Sequence, residues 1–356
     1  MTGADGIAEL SRLVVRALNS LDARPGSALV DVLSLTDAPD ARAFDHTGPE
    51  GRLYASGGRW PRFVAEAVRV RIAGQRPSHV VCLHAHLGPV AALLAGRRAR
   101  LVTVLVGIEV WKPLRPLERW ALARSDLLVA ISAHTARRFD HANATCRGRR
   151  VEVCHLAVRN RPASGVAPPP EPSARPPFAL IVGRMAAEER YKGHDLLIDL
   201  WPSVVQHVPG ARLVVVGDGD DRARLERKAA GVSADVRFLG RVSDDTLATL
   251  YRDCAFFVMP SRDEGFGLVF LEAMRAAKPC IGGTGAASEV IDDGVTGFVV
   301  EPEREPVLRA VLRLFREPET CKRMGEAGAA RVAREFTEPQ FRARFRALLG
   351  LPEPDR

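Results

Sequence analysis

The chain has 356 residues, 46% apolar and 26% charged, which is ordinary for a globular protein and long enough for two domains of roughly 150–180 residues. Lysine and arginine outnumber aspartate and glutamate by 51 to 43, which favours anionic ligands or an anionic membrane face; with 6% aromatic residues and no interleaving of rings among the cations, nucleic acid is disfavoured. No apolar run approaches the ~20 residues that span a bilayer, and the start MTGADGIAEL lacks a basic-then-apolar signal pattern. A cytoplasmic protein, at most peripheral to the inner face of the membrane, is the expectation.

In chain order, Ile7, Leu10, Leu13, Val14, Ala17, Leu18 and Leu21 share one helical face, and Asp5 is placed to cap that helix. Short apolar runs then alternate with amphipathic segments. The expected strands are 28–35, 79–83, 100–106, 126–132 and 151–158, with helices near 58–74, 89–96, 114–124 and 133–141. Such alternation predicts βαβ units and parallel sheets. The proline-rich segment 161–177 cannot join a sheet and is the expected interdomain linker. Beyond it, strands at 178–183 and 212–217 flank a helix over 194–207, another strand covers 236–240, and an amphipathic helix closes the chain near 336–350. The six cysteines show no CxxC spacing and sit mostly in apolar contexts, so buried free thiols are expected.

The passage PSRDEGFGLVFLEAMRAA (260–277) sets Glu264 and Glu272 eight positions apart, around a Phe266-Gly267 turn between a strand and a helix. That is the setting of a ligand site at the carboxyl end of a parallel strand, with a glycine for close approach and unpaired helix amides for an anion. Glu272 is placed about two turns into the helix and Glu264 before it, so the two carboxylates are expected to serve different atoms.

This passage resembles the Glu-x7-Glu signature of the family 4 retaining glycosyltransferases. VGRMAAEERYKGHDLLI (182–198) is similar to the family's Gly-Arg…Lys-Gly segment, LVVVGDGDDRARL (213–225) to its Gly-Asp-Gly turn, and GGTGAASEVIDDGVTGFVV (282–300) to the run that follows. The resemblance implies an α/β fold of two doubly wound Rossmann-like domains facing a cleft, the GT-B fold. Residues 1–160 would bind the acceptor, joined by the C-terminal helix 338–350, and residues 178–337 would bind a nucleotide-diphospho-sugar. In the family a strand and a Gly-rich turn precede the first helix; here only Asp5-Gly6 remains of them, so a start truncated relative to the family is expected.

The resemblance assigns Arg184 and Lys192 to the diphosphate, a guanidinium fork beside a point charge. It gives Glu272 the ribose hydroxyls, and Glu264 the transferred sugar or the positive charge developing at its anomeric carbon. Amides of Phe266, Gly267 and Leu268 would meet sugar or phosphate oxygens, the base would lie against Arg241 and Val242, and Gly217 with Gly219 would shape the pocket floor. Gly6 is the remaining donor-site candidate. Family members often carry a histidine where VGIEVW (106–111) has Val106, and His86, after the strand at 79–83, is the candidate to replace it in catalysis; a structural role for His84 and His86 stands beside that reading.

Neither a metal nor another cofactor is expected, since two cations already face the diphosphate. A serine-based mechanism lacks its GxSxG elbow. The expected activity is transfer of a hexose, mannose by first choice, from a donor such as GDP-mannose to a saccharide or lipid-linked saccharide. A nucleotide-sugar epimerase of the same fold and a non-catalytic nucleotide-sugar-binding homologue are the alternatives.

Overall fold

The computed structural model describes residues 6–19, 30–37, 51–74, 77–146, 148–158, 177–232 and 234–352. Asp5, Leu21 and residues 161–176 of the proline-rich segment lie outside these. Contacts divide the chain into Met1–Ala157 with Glu338–Arg356, and Val158–Thr337.

The first unit runs α1 (Gly6–Leu18), β1 (Val32–Ser34), β2 (Leu53–Ala55), α2 (Trp60–Ile72), β3 (His79–Cys82), α3 (Gly88–Ala95), β4 (Arg100–Leu105), α4 (Pro116–Arg124), β5 (Leu127–Ala130), α5 (Ala133–Ala142) and β6 (Val151–Val153). Strands β3-β4-β5-β6 form one parallel sheet, and β1 pairs with β2, also in parallel. β4 and β5 are buried along nearly their whole length, as strands covered on both faces must be. The strand expected over 151–158 stops at Val153, because pairing with β5 ends there. Ile7, placed on the inward face by its spacing, is 44% exposed, and Ala8, Ser11 and Val15 are buried instead, so the buried stripe lies rotated from the one expected. Gly6 is the exposed first residue of α1, not part of a separate turn.

The second unit runs β7 (Phe178–Val182), α6 (His194–His207), β8 (Arg212–Val216), α7 (Arg222–Ala230), β9 (Asp235–Gly240), α8 (Asp244–Asp253), β10 (Phe256–Met259), α9 (Leu268–Arg275), β11 (Cys280–Gly283), α10 (Ala287–Val290), β12 (Gly297–Val300), α11 (Arg304–Arg316) and α12 (Pro318–Glu335). All six strands are parallel in the order β12-β11-β10-β7-β8-β9. Phe256, Phe257, Phe270 and Trp201 are fully buried, and Phe257 meets Phe270 edge-on at 5.5 Å, which fixes α9 on β10. Behind it α12 packs close, since a Cβ on Gly325 would stand 2.0 Å from the Ala277 carbonyl.

The chain ends in α13 (Glu338–Leu349), which packs on α1 within the first unit. Buried Arg346 donates to the carbonyls of Ala17 and Leu18 at 3.3 and 3.2 Å, filling acceptors that the end of α1 leaves open. Arg100 donates to the Leu349 carbonyl at 2.7 Å, so the last turn of α13 is tied to β4 as well as to α1. All six cysteines are free and all but Cys321 are buried. Among the described residues no helix is long and apolar enough to cross a membrane.

Candidate active site

In the second unit β7 sits between β10 and β8, so successive connections leave it in opposite directions. Such a switch opens a crevice outside the carboxyl ends of the two strands flanking it, here β7 and β10. Gly183 and Arg184 follow β7, and residues 260–267 follow β10. The two loops are tied together, because the Arg262 amide donates to the Tyr191 carbonyl at 3.0 Å.

A short 3-10 helix, Ala187–Lys192, brings Glu189 between the two expected cations. Its carboxylate accepts from Arg184 and stands 2.8 Å from the Lys192 ammonium. Burial alone would raise this carboxyl, but the hydrogen bonds from Arg184 and Lys192 win and hold it below the usual range. Arg184 keeps 62% of its side chain exposed, so its guanidinium remains accessible to an anion. His194 opens α6 directly behind Lys192; burial, then the neighbouring ammonium, lowers its imidazole to about 4, so it is neutral. Its Nε2 is buried without a hydrogen-bond partner.

Gly267 is left-handed at φ 88°, and a Cβ there would strike the Phe270 ring at 2.5 Å. The helix therefore starts only at Leu268, which puts Glu272 little more than one turn in, not two. Tyr251, buried at the end of α8, donates to Glu272 Oε2 at 2.9 Å and fixes its rotamer. Glu264 is half-buried, and desolvation raises its carboxyl against the pull of Lys192 and of the Gly265 and Phe266 amides. The Phe266 amide is thus engaged by its own turn acid, and the Phe266 ring is buried 6.1 Å from Phe336. Lys192, Glu189 and Glu264 form one electrostatic neighbourhood.

The loops after β8 and β9 continue the same edge. Gly217 and Gly219 pack backbone on backbone, since a Cβ on either would lie 2.0 Å from the Gly183 carbonyl or 2.1 Å from that of Met185. Close packing under the Arg184 loop accounts for both glycines. Exposed Arg241 and half-buried Val242 follow β9 beside them. Elsewhere in the unit, Asp293 accepts the Val299 amide of β12 at 2.9 Å and Asp292 stands 3.6 Å from Arg331 of α12, so both acids have structural partners.

In the first unit His84 and His86 sit at the carboxyl end of β3, their rings 4.9 Å apart. His86 Nδ1 is 2.7 Å from Oε1 of buried Glu118, whose other oxygen accepts the Arg115 amide at 2.9 Å. Burial, then the charge of His86, drops His84 to about 4. Val106 donates its amide to Glu109 at 2.7 Å, and Trp111 is a core residue stacked edge-on to His134.

The sequence match to Glycosyl transferases group 1 covers residues 176–317, the stretch that holds Arg184, Lys192, Glu264 and Glu272. A GDP-mannose-dependent monoacylated alpha-(1-6)-phosphatidylinositol monomannoside mannosyltransferase of Corynebacterium glutamicum is 30% identical over 350 residues, covering 87% of this chain and 86% of that protein. The chain belongs to the group 1 glycosyl transferases. A second relative of this glycosyl transferase, the GDP-mannose-dependent alpha-(1-6)-phosphatidylinositol monomannoside mannosyltransferase of Mycolicibacterium smegmatis, is 31% identical over 68% of this chain and 67% of its own. Among solved structures, sucrose-phosphate synthase from Thermosynechococcus elongatus has a TM-score of 0.76 at 20% identity, covering 98% of this chain and 93% of its own. Anabaena HepE in complex with UDP and glucose has a TM-score of 0.75 at 19% identity, covering 98% and 97%. The glycosyl transferase accordingly has the GT-B fold, with two Rossmann-like α/β domains.

Glu189, His194, Tyr251 and Glu118 lie outside the residues that sequence spacing singles out. An acid standing between two expected cations was a signal for Glu189. Nothing in the local sequence marks Tyr251 or Glu118.

Proposed function

We propose that this glycosyltransferase moves mannose from GDP-mannose to a lipid-linked saccharide, retaining the anomeric configuration. The observation that carries the reading is the pairing of Arg184 and Lys192 on one carboxylate at the β7 and β10 strand ends, where a diphosphate would meet the same two cations. The GDP-mannose dependence and phosphatidylinositol mannoside acceptors named for the relatives support the choice of donor and acceptor class.

Arg184 and Lys192 hold the diphosphate and stabilise the charge that grows on it as the sugar bond breaks, with no call on a divalent cation. Glu272, fixed by Tyr251, accepts the ribose hydroxyls. Glu264, beside Lys192, faces the transferred sugar. The leaving phosphate takes the proton of the acceptor hydroxyl on the same face, so no separate general base is needed. His86, held by Glu118, is the first unit's group suited to a sugar hydroxyl where Val106 has no polar side chain.

A melting-temperature panel with GDP, UDP and ADP tests the donor half. GDP is expected to raise the transition most, and Glu272→Ala to lose most of that rise; an equal rise in the variant overturns the ribose assignment. Incubation with GDP-mannose and membrane lipid extract tests the acceptor half. Conversion of the nucleotide sugar without any acceptor would favour an epimerase.

A further inference from the structure

Tyr191 stands directly before Lys192, in the short 3-10 helix that carries Glu189 between the two cations. Its backbone is fixed, since its carbonyl accepts the Arg262 amide at 3.0 Å and so joins the loops after β7 and β10. The side chain is half-buried. Burial first, then the charges of Glu189 and Glu264, push the phenol well above its ordinary range; Arg184 opposes the rise and Asp263 adds to it. The group is therefore protonated at neutral pH and stays a hydrogen-bond donor. Those same charges locate the hydroxyl: Glu189 and Arg184 lie on the loop after β7, Asp263 and Glu264 on the loop after β10. Among the described residues the hydroxyl has no hydrogen-bond partner, and it is not sealed from solvent. A donor kept protonated among three carboxylates, yet bonded to none of them, is placed for a ligand.

We propose that the Tyr191 hydroxyl donates to a hydroxyl of the transferred sugar, the same one whose proton Glu264 accepts. A sugar hydroxyl has one proton to give and lone pairs to fill. A carboxylate only accepts, so Glu264 alone leaves that hydroxyl half-satisfied. A neutral phenol supplies the missing donor without adding a cation, which would oppose the positive charge developing at the anomeric carbon. The diphosphate is a poorer partner for it, because Arg184 and Lys192 already offer charged donors, whose bonds to phosphate are roughly twice as strong. A pocket that bonds one hydroxyl from both sides also rejects a donor sugar lacking it, so Tyr191 is a specificity-determining residue. The proposal rests on the assignment of Glu264 to the transferred sugar and deepens it.

Calorimetric titration of the full chain with GDP and with GDP-mannose tests it. Tyr191→Phe keeps the ring and its packing, so GDP should bind the variant as it binds the parent. Affinity for GDP-mannose should fall about three- to tenfold, the worth of one hydrogen bond. Parent-like GDP binding doubles as the control that the variant is folded with Arg184 and Lys192 in place. In a Glu264→Ala background the same tyrosine change should cost less than it does in the parent, because both groups act on one hydroxyl. Equal loss of GDP and GDP-mannose affinity would put the phenol on the diphosphate and overturn the proposal. Unchanged GDP-mannose affinity overturns it too, as does full additivity of the two changes. A parent that binds neither GDP nor GDP-mannose removes the donor reading itself, and the proposal with it.

Discussion

The Glu189 carboxylate stands 2.8 Å from the Lys192 ammonium while accepting from Arg184, so one acid occupies both cations assigned to the donor. In the free protein it holds two like charges together; with a diphosphate bound, the cations gain a stronger anion. Glu189→Gln should therefore lower the stability of the free protein by about 1–3 kcal/mol, through lost pairing at a buried position. The same change frees both cations, so the rise in melting temperature on adding GDP should exceed that of the parent. Melting curves with and without GDP decide the point. A smaller rise in the variant would mean that Glu189 aligns the cations without competing for them.

Tyr251 is buried and its hydroxyl reaches one oxygen of Glu272. Removing that hydroxyl takes away one bond that holds the carboxylate in the position suited to ribose. Tyr251→Phe is expected to weaken GDP binding about three- to tenfold, the worth of one such hydrogen bond, with the change appearing in KM for the donor and little in kcat. Calorimetric titration with GDP measures the first quantity directly, and unchanged affinity would show that Glu272 needs no such support.

Close packing makes an analogous demand on Gly217, which is left-handed with no room for a Cβ beside the Gly183 carbonyl. Gly217→Ala must push the loop after β7 away, carrying Arg184 with it. A loss of about 2–4 kcal/mol in stability is expected, from strain and overpacking together. The GDP response should fall as well, which a thermal-shift series on the purified variant would register.

His86 and Glu118 supply a test in the first unit. The ring can present Nε2 to a sugar hydroxyl only while Glu118 holds Nδ1. His86→Ala is expected to reduce kcat by about 10- to 100-fold, the range for one lost hydrogen bond made in the transition state, while His86→Asn should recover part of it. Glu118→Gln keeps the Arg115 cap and should lower kcat less, leaving GDP affinity unchanged. Parent-like turnover in His86→Ala would assign the ring a structural role.

The strand ends were legible because parallel strands buried on both faces read as short unbroken apolar runs, as LLVA of β5 and FFVM of β10 do. Arg184 lies just beyond β7, but the roles of Arg184, Lys192 and Glu272 were read from the family resemblance of their motifs, since Lys192 and Glu272 stand well past the strand ends. Helix starts were harder: Gly267 delays α9, and only its left-handed backbone reveals that. Tyr251 and Glu118 stayed hidden because their partners are set by which elements the sheet order brings together, whereas Glu189 pairs within its own loop. Tyr251 is separated from Glu272 by 21 positions, and His86 from Glu118 by 32.

Acid should loosen the second unit before neutral pH does. Arg224 grips Asp195 at 2.8 and 2.6 Å and Asp221 at 2.7 and 2.6 Å, joining α6 to the start of α7 beneath the Arg184 loop. The hydrogen bonds from Arg224 lower the Asp221 carboxyl to about 2, and they hold Asp195 lower still. A carboxyl depressed by folding stabilises the native state at pH values above its unfolded pKa of about 3.9, and that contribution fades as pH falls toward the folded value. Stability should therefore drop steeply between about pH 4 and pH 2. Asp221→Asn cannot take part in this titration. It should cost about 2 kcal/mol at pH 7, through the weakened bonds to Arg224 and Arg190, and show a shallower fall over the acid range. Urea unfolding at a series of pH values compares the two slopes, and parallel curves would show that the Arg224 cluster does not govern acid stability.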